Sequence, residues 1–129
     1  MQDERRELSD AELEALKALW SIGPSQVREV MEALRAGGRD WAYTTAKTIL
    51  DRLEAKGYAR RDRSEAAHIY HPTVTRDDLA RLRVGELRAE LYDGAAAPLV
   101  RALVEGGLSP DEVRSLRASL DALERGVSR

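Results

Sequence analysis

Cysteine and phenylalanine are both missing from the 129 residues, and histidine and tryptophan occur only twice each. Without Cys there is no disulfide framework, no thiolate metal site and no Cys nucleophile. Without Phe, a core drawn from 43% hydrophobic residues must be packed by Leu, Val and Ala, which suits helices better than a β-sandwich. No apolar run approaches the length of a membrane span, and the opening MQDERRELSD is charged where a secretory signal would be apolar. A soluble, cytoplasmic protein is expected. A Gly-rich phosphate loop, an HExxH-like metal pair and a Ser nucleophile beside an evident base are also absent, so no enzyme, cofactor or metal is expected. His68 and His71 have no carboxylate or Cys companions in the pattern and read as parts of an exposed strand. A chain of this length makes one unit, or a small domain with an appendage that buries its apolar face on a partner.

What is present is helical punctuation. After a polar and frayed start over residues 1–8, Ser9 and Glu12 form a capping box ahead of the stripe Leu13, Leu16, Leu19 and Trp20. Gly23-Pro24 breaks that helix, and Ser25 is the expected N-cap of a second. There Val27, Val30, Met31 and Leu34 face inward, and Arg28, Glu29 and Glu32 face water. Gly37-Gly38 ends it. The stretch WAYTTAKTILDRLEAKGYARRDR, Trp41 to Arg63, then organises the rest. A helix from about Thr44 turns Ala46, Ile49, Leu50 and Leu53 to a core and leaves Thr44, Thr45, Lys47, Thr48, Asp51 and Arg52 outward, with Gly57 as a left-handed C-cap. Tyr58 to Arg61 and Ala67 to His71 read as two strands around the turn Asp62 to Ala66. Trp41 and Tyr58 flank that hairpin as packing residues would. The expected fold class is mainly α with a small β-wing: a winged helix-turn-helix whose third helix would read DNA and whose wing would lay Arg60, Arg61 and Arg63 on phosphates, the bland alternative for this stretch being a solvated helix face followed by an ordinary charged turn.

Past Pro72 the pattern changes. Thr75 and Asp78 make a third capping box, before a helix lined by Leu79, Leu82, Leu87 and Leu91 that runs to about Tyr92. Pro98 to Glu105 carries Leu99, Val100, Leu103 and Val104, and Ser109-Pro110-Asp111-Glu112 opens a last helix with Val113, Leu116, Leu120 and Leu123 on one face. The expected division is a winged-helix DNA-binding domain over 1–74 and a helical dimerisation domain over 75–129. The apolar positions of the second domain need another surface, and a second copy is the expected one, the alternative being that these helices fold back on the first domain as a monomer. Leu87, Leu91, Leu99, Val100, Leu103, Val113, Leu116 and Leu120 are the expected dimer contacts.

A formal net charge of −2 disfavours purely electrostatic DNA binding. Arg39, Lys47, Arg52, Lys56, Arg60, Arg61 and Arg63 nevertheless fall close together, and phosphate contacts act within ~8 Å in physiological salt. Two reading helices on a twofold axis would enter major grooves about 34 Å apart, which makes the expected partner an inverted-repeat duplex. The competing class is a winged helix turned protein-interaction module, which keeps the cores and the dimer without a base-reading face.

The segments LSDAELEALKALW, WAYTTAKTILDRLEAKGYARR, HIYHPTV and LYDGAAAPLVRALVEGGLSPDEVRSLRASLDALE together resemble the penicillinase-repressor family of BlaI/MecI type, from about Leu8 to Glu124. The most specific part is W-x-x-x-T-x-x-T-x-L-x-R-L-x-x-K-G at Trp41 to Gly57. The resemblance implies a winged-helix transcriptional repressor that binds inverted repeats as a homodimer and controls genes such as those for β-lactamase. It implies DNA contacts at Thr44, Thr45, Lys47 and Thr48, with Ala42 and Tyr43 leading into the helix, Arg52 on the backbone, and Arg60, Arg61 and Arg63 on the wing. It also implies a regulatory protease as partner. Members so regulated are cut at an Asn-Phe bond, and the matching place here, Arg101-Ala102, departs from it. The Cys cluster of a copper-responsive branch has no counterpart. The excess of Arg over Lys is what a high-GC bacterial genome produces.

Overall fold

Ser9 begins the first helix as its residue type predicts. The protein is described by a computed structural model over residues 7–64 and 66–127. The Ser9 hydroxyl accepts the Glu12 N–H, and the Glu12 carboxylate accepts the Ser9 N–H at 2.9 Å, so α1, Asp10–Ile22, opens on a reciprocal cap. Most of the expected polar start, and Glu65 in the hairpin turn, lie outside the described residues.

Ser25 is not the cap of the next helix. Gln26 is the N-cap of α2, Val27–Ala36, and its N–H is held by the Glu29 carboxylate at 2.8 Å. Ser25 is buried one residue earlier, donates its hydroxyl to the Gly23 carbonyl, and exchanges both backbone hydrogen bonds with Tyr70. A long-range pairing thus takes the Ser25 backbone out of the helix, and its side chain closes the Gly23-Pro24 turn instead.

The third helix, α3, spans Tyr43–Lys56, one residue ahead of the expected start. Gly57 ends it at φ 89°, ψ 8°, the left-handed conformation that a missing Cβ makes easy. The chain then turns into β1, Ala59–Asp62, antiparallel to β2, Ile69–Pro72, with Arg60 opposite His71 and Arg61 opposite Tyr70. Leu16, Leu19, Val30, Leu50, Leu53 and Tyr70 are the large side chains enclosed at the junction of α1, α2, α3 and the hairpin. Each such Leu contributes roughly 1.5–3 kcal/mol through burial. Ala15 and Ala46 are also fully buried, leaving room for close helix approach.

Thr75 and Asp78 exchange the expected capping bonds at the start of α4, Arg76–Tyr92. The chain divides into units of residues 1–80 and 81–129, a division that falls inside α4. The first turn of α4 belongs to the first unit: Leu79 is buried, Arg76 lies over the Trp20 ring at 5.5 Å, and the indole N–H donates to the Val74 carbonyl at 2.8 Å.

In the second unit, Asp93 and Gly94 both take positive φ after α4, and the Gly94 carbonyl accepts the Arg88 guanidinium. The helix α5, Ala97–Glu105, follows, and Ser109 with Glu112 caps α6, Pro110–Val127, reciprocally. Among the described residues beyond Leu79, no side chain is fully buried.

Candidate nucleic-acid interface

The 3.6-residue period of α3 separates its two faces. Ala46, Ile49, Leu50 and Leu53 are buried, while Thr44, Thr45, Thr48 and Arg52 are exposed, as are Ala42 and Tyr43 at the start. Thr44, Thr48 and Arg52 follow at four-residue steps and form one ridge. Small hydroxyl- and methyl-bearing side chains ending in a cation let a helix approach closely and pack on thymine methyls or donate to phosphates.

Lys47 and Asp51 depart from a plain solvated face. The Lys47 ammonium donates to Asp51 Oδ2 at 2.8 Å, one helical turn on. The other oxygen, Oδ1, accepts the Tyr70 hydroxyl from β2 at 2.6 Å and lies 3.5 Å from the Arg61 guanidinium. Asp51, expected outward, is therefore half-buried and ties α3 to the hairpin. Burial pushes the Asp51 carboxyl up, but the bonds from Lys47 and Tyr70 and the charges of Lys47 and Arg61 outweigh it and hold the group below its ordinary value. Burial first, and then the bond to Asp51 and its charge, push the Tyr70 hydroxyl up to about 12 against the opposing Arg61, so Tyr70 remains a donor.

The three wing arginines do not share one environment. Arg60 is exposed, whereas the Arg61 side chain is only 17% exposed, lies over the Tyr70 ring at 6.0 Å, and pairs with Asp51 and with Glu54 at 3.8 Å. Arg63, past the strand, is exposed but also reaches Glu54, at 3.6 Å. Strand alternation explains the split, because residues 60 and 61 must point to opposite faces. Within the expected basic cluster, Arg39 makes a two-bond pair with Glu14 and lies over Trp41, which is half-buried. Lys56 is bonded to Glu12 at 2.6 Å. Tyr58 is buried.

Beside the Lys47 flank lies an open groove of about 390 Å³ between the start of α2, the first half of α3 and the hairpin turn, with Gln26, Arg28, Tyr43, Lys47 and His68 on its walls. Arg28 and His68 were not among the expected contacts. The outward position of Arg28 in the first turn of α2 was legible, but its closeness to the hairpin turn is set by tertiary packing. Among the described residues, no group of three or more His, Asp or Glu is placed to hold a metal ion, and no helix is long and apolar enough to cross a membrane.

The residues expected at a dimer contact are open in the single chain. Leu87, Leu91, Val100, Leu103, Leu116 and Leu120 are exposed, and Leu99 and Val113 are half-buried.

The chain is similar to known transcriptional regulators. A sequence model described as penicillinase repressor matches residues 8–122. The transcriptional regulator BlaI of Mycobacterium tuberculosis is 42% identical over 122 residues, which cover 92% of this chain and 86% of that protein. The methicillin resistance regulatory protein MecI of Mammaliicoccus sciuri is 28% identical, over 94% of this chain and 98% of that protein. A solved MarR family protein from Bacillus stearothermophilus shares the fold at 17% identity and a TM-score of 0.52, covering 99% of this chain and 81% of that one.

Proposed function

The chain belongs to the penicillinase repressor family, and from that premise we propose that it is a transcriptional repressor that binds an inverted-repeat operator as a homodimer. Relatives named for penicillinase and methicillin resistance favour genes of β-lactam defence or cell-wall maintenance as its targets. It works in the cytoplasm, where that DNA lies, and carries out no catalysis of its own.

The observation that carries the reading is the exposed ridge Thr44, Thr48 and Arg52 on a helix whose opposite face is buried. The ridge, with Ala42, Tyr43, Thr45 and Lys47, is the surface that enters a major groove. Arg60 and Arg63 serve the neighbouring phosphates. Arg61 serves them less directly, through the stance of the hairpin, because its guanidinium is engaged by Asp51 and Glu54. The dimer is supported by the second unit, where Leu91, Leu103 and Leu120 are each more than half exposed. Apolar area of that extent on three successive helices calls for a partner surface, and a twofold copy provides a matching one. Arg101-Ala102 stands where regulated relatives carry an Asn-Phe bond, and this difference disfavours release of the copies by the same protease.

The reading is tested by selecting random duplexes on the protein and on its T45A/T48A variant. Loss of direct base contacts should reduce preference at the affected base pairs by about 1–3 kcal/mol each, while phosphate binding persists. An unchanged selected motif would remove α3 from base reading and favour the protein-interaction module.

A further inference from the structure

A lysine on a helix that reads DNA gains attraction for any duplex from its charge, and a neighbouring acid reduces that gain. Lys47 has such a neighbour at 2.8 Å, and the neighbour is not an ordinary surface acid. Asp51 Oδ1 is held by the hydroxyl of Tyr70, a residue 1% exposed, and faces Arg61, so the carboxylate cannot turn away. Its second oxygen is thereby aimed at the Lys47 ammonium.

We propose that Asp51, clamped by Tyr70 of the hairpin, is a positioning residue that presents Lys47 as a directed donor to a base edge and offsets its charge for sequence-blind binding. The proposal rests on the reading of α3 as the base-reading helix. It makes the Asp51–Tyr70 pair a determinant of specificity at one base pair of each half-site, while leaving the remainder of the motif to Thr44, Thr45 and Thr48. It also gives the wing a second part, since a hairpin residue then governs what the helix reads.

The experiment is selection of random duplexes by the full-length protein and by D51N, K47M, D51N/K47M and Y70F, with binding to non-specific DNA measured across a salt series. D51N keeps the size of the side chain and an acceptor for Tyr70 while removing the charge. K47M is expected to erase preference at one base pair, and D51N to weaken it there by about fivefold or more. D51N should also bind non-specific DNA more tightly, with a salt slope steeper by about 0.9, the value of one more neutralised phosphate. In the K47M background D51N should leave the preference at that base pair unchanged. Y70F should shift the same base pair in the same direction with its melting transition retained.

The proposal is overturned if D51N leaves that base pair and the salt slope unchanged, or if it alters preference equally with and without Lys47. Should D51N fail to fold, an unchanged preference in Y70F overturns it. A wild-type protein that enriches no sequence would contradict the function itself and this inference with it. A wild type that enriches a motif indifferent to Asp51 contradicts this inference alone.

Discussion

Glu12 is a carboxylate 2% exposed, and its environment explains why it stays ionised. Burial raises its pKa, but the Lys56 ammonium at 2.6 Å, the Ser9 N–H and the charge of Arg52 together bring it below the ordinary 4.5. A group depressed on folding stabilises the fold above its unfolded value and loses that contribution as pH falls through the folded one. The first unit should therefore weaken on acidification below about pH 4.5, with Asp51 adding to the loss below about 3.8. E12Q should cost about 1.5–3 kcal/mol at pH 7, the worth of hydrogen bonds to a charged group, and flatten part of the acid limb. Urea denaturation of both proteins at pH 7 and pH 3 checks the magnitude and the sign. Gly57 gives a second measurement of the same kind. A Cβ there would meet nothing within 4 Å, so G57A should cost only the left-handed backbone penalty of about 1–2 kcal/mol, read from its melting transition.

Among the elements, the helices and the hairpin were both legible in the sequence, but the contacts the hairpin makes with the helices were not. The burial of Ala46, Ile49, Leu50 and Leu53 and the caps at Ser9, Thr75 and Ser109 follow from spacing and side-chain chemistry a few residues apart. Ser25 and Asp51 were misread for a common reason: each is engaged by Tyr70, a residue far away in the chain whose arrival no local pattern announces. The Lys47–Asp51 spacing was visible as a four-residue pair, but the clamp on it was not. Strand alternation could have separated Arg60 from Arg61, and the structure does so. R60A should accordingly weaken DNA binding almost uniformly across sequences and lower the salt slope by about one phosphate, while leaving stability nearly unchanged. R61A should chiefly lower the melting temperature, because it leaves Asp51 and Glu54 short of a cation. Thermal melts and salt titrations of the two variants separate these effects, and equal salt slopes would contradict the assignment.

At the scale of the whole molecule, the two units call for different tests. The first has its own core and takes in the start of α4, so a fragment of residues 1–80, which keeps Leu79, should fold cooperatively and sediment as a monomer. A fragment ending at residue 74 loses Leu79 and should be less stable. In the second unit the leucine spacing was plain in the sequence, but what covers the exposed face is not encoded in any local pattern, and the proposed second copy is tested by charge placed on it. L103E and L120E, at positions 57% and 61% exposed in the monomer, should leave the first unit folded and separate the copies in sedimentation. Loss of two-site binding should then reduce operator affinity by about 10²-fold or more. The central claim, a dimer reading a twofold operator, is met most directly by selecting fragments of the source genome on the full-length protein at moderate salt and footprinting those retained. The account predicts a protected inverted repeat whose half-sites are centred one or two helical turns apart, upstream of a gene the protein silences. Retention without sequence preference, lost on modest addition of salt, would mean that only phosphate attraction is present and would contradict it.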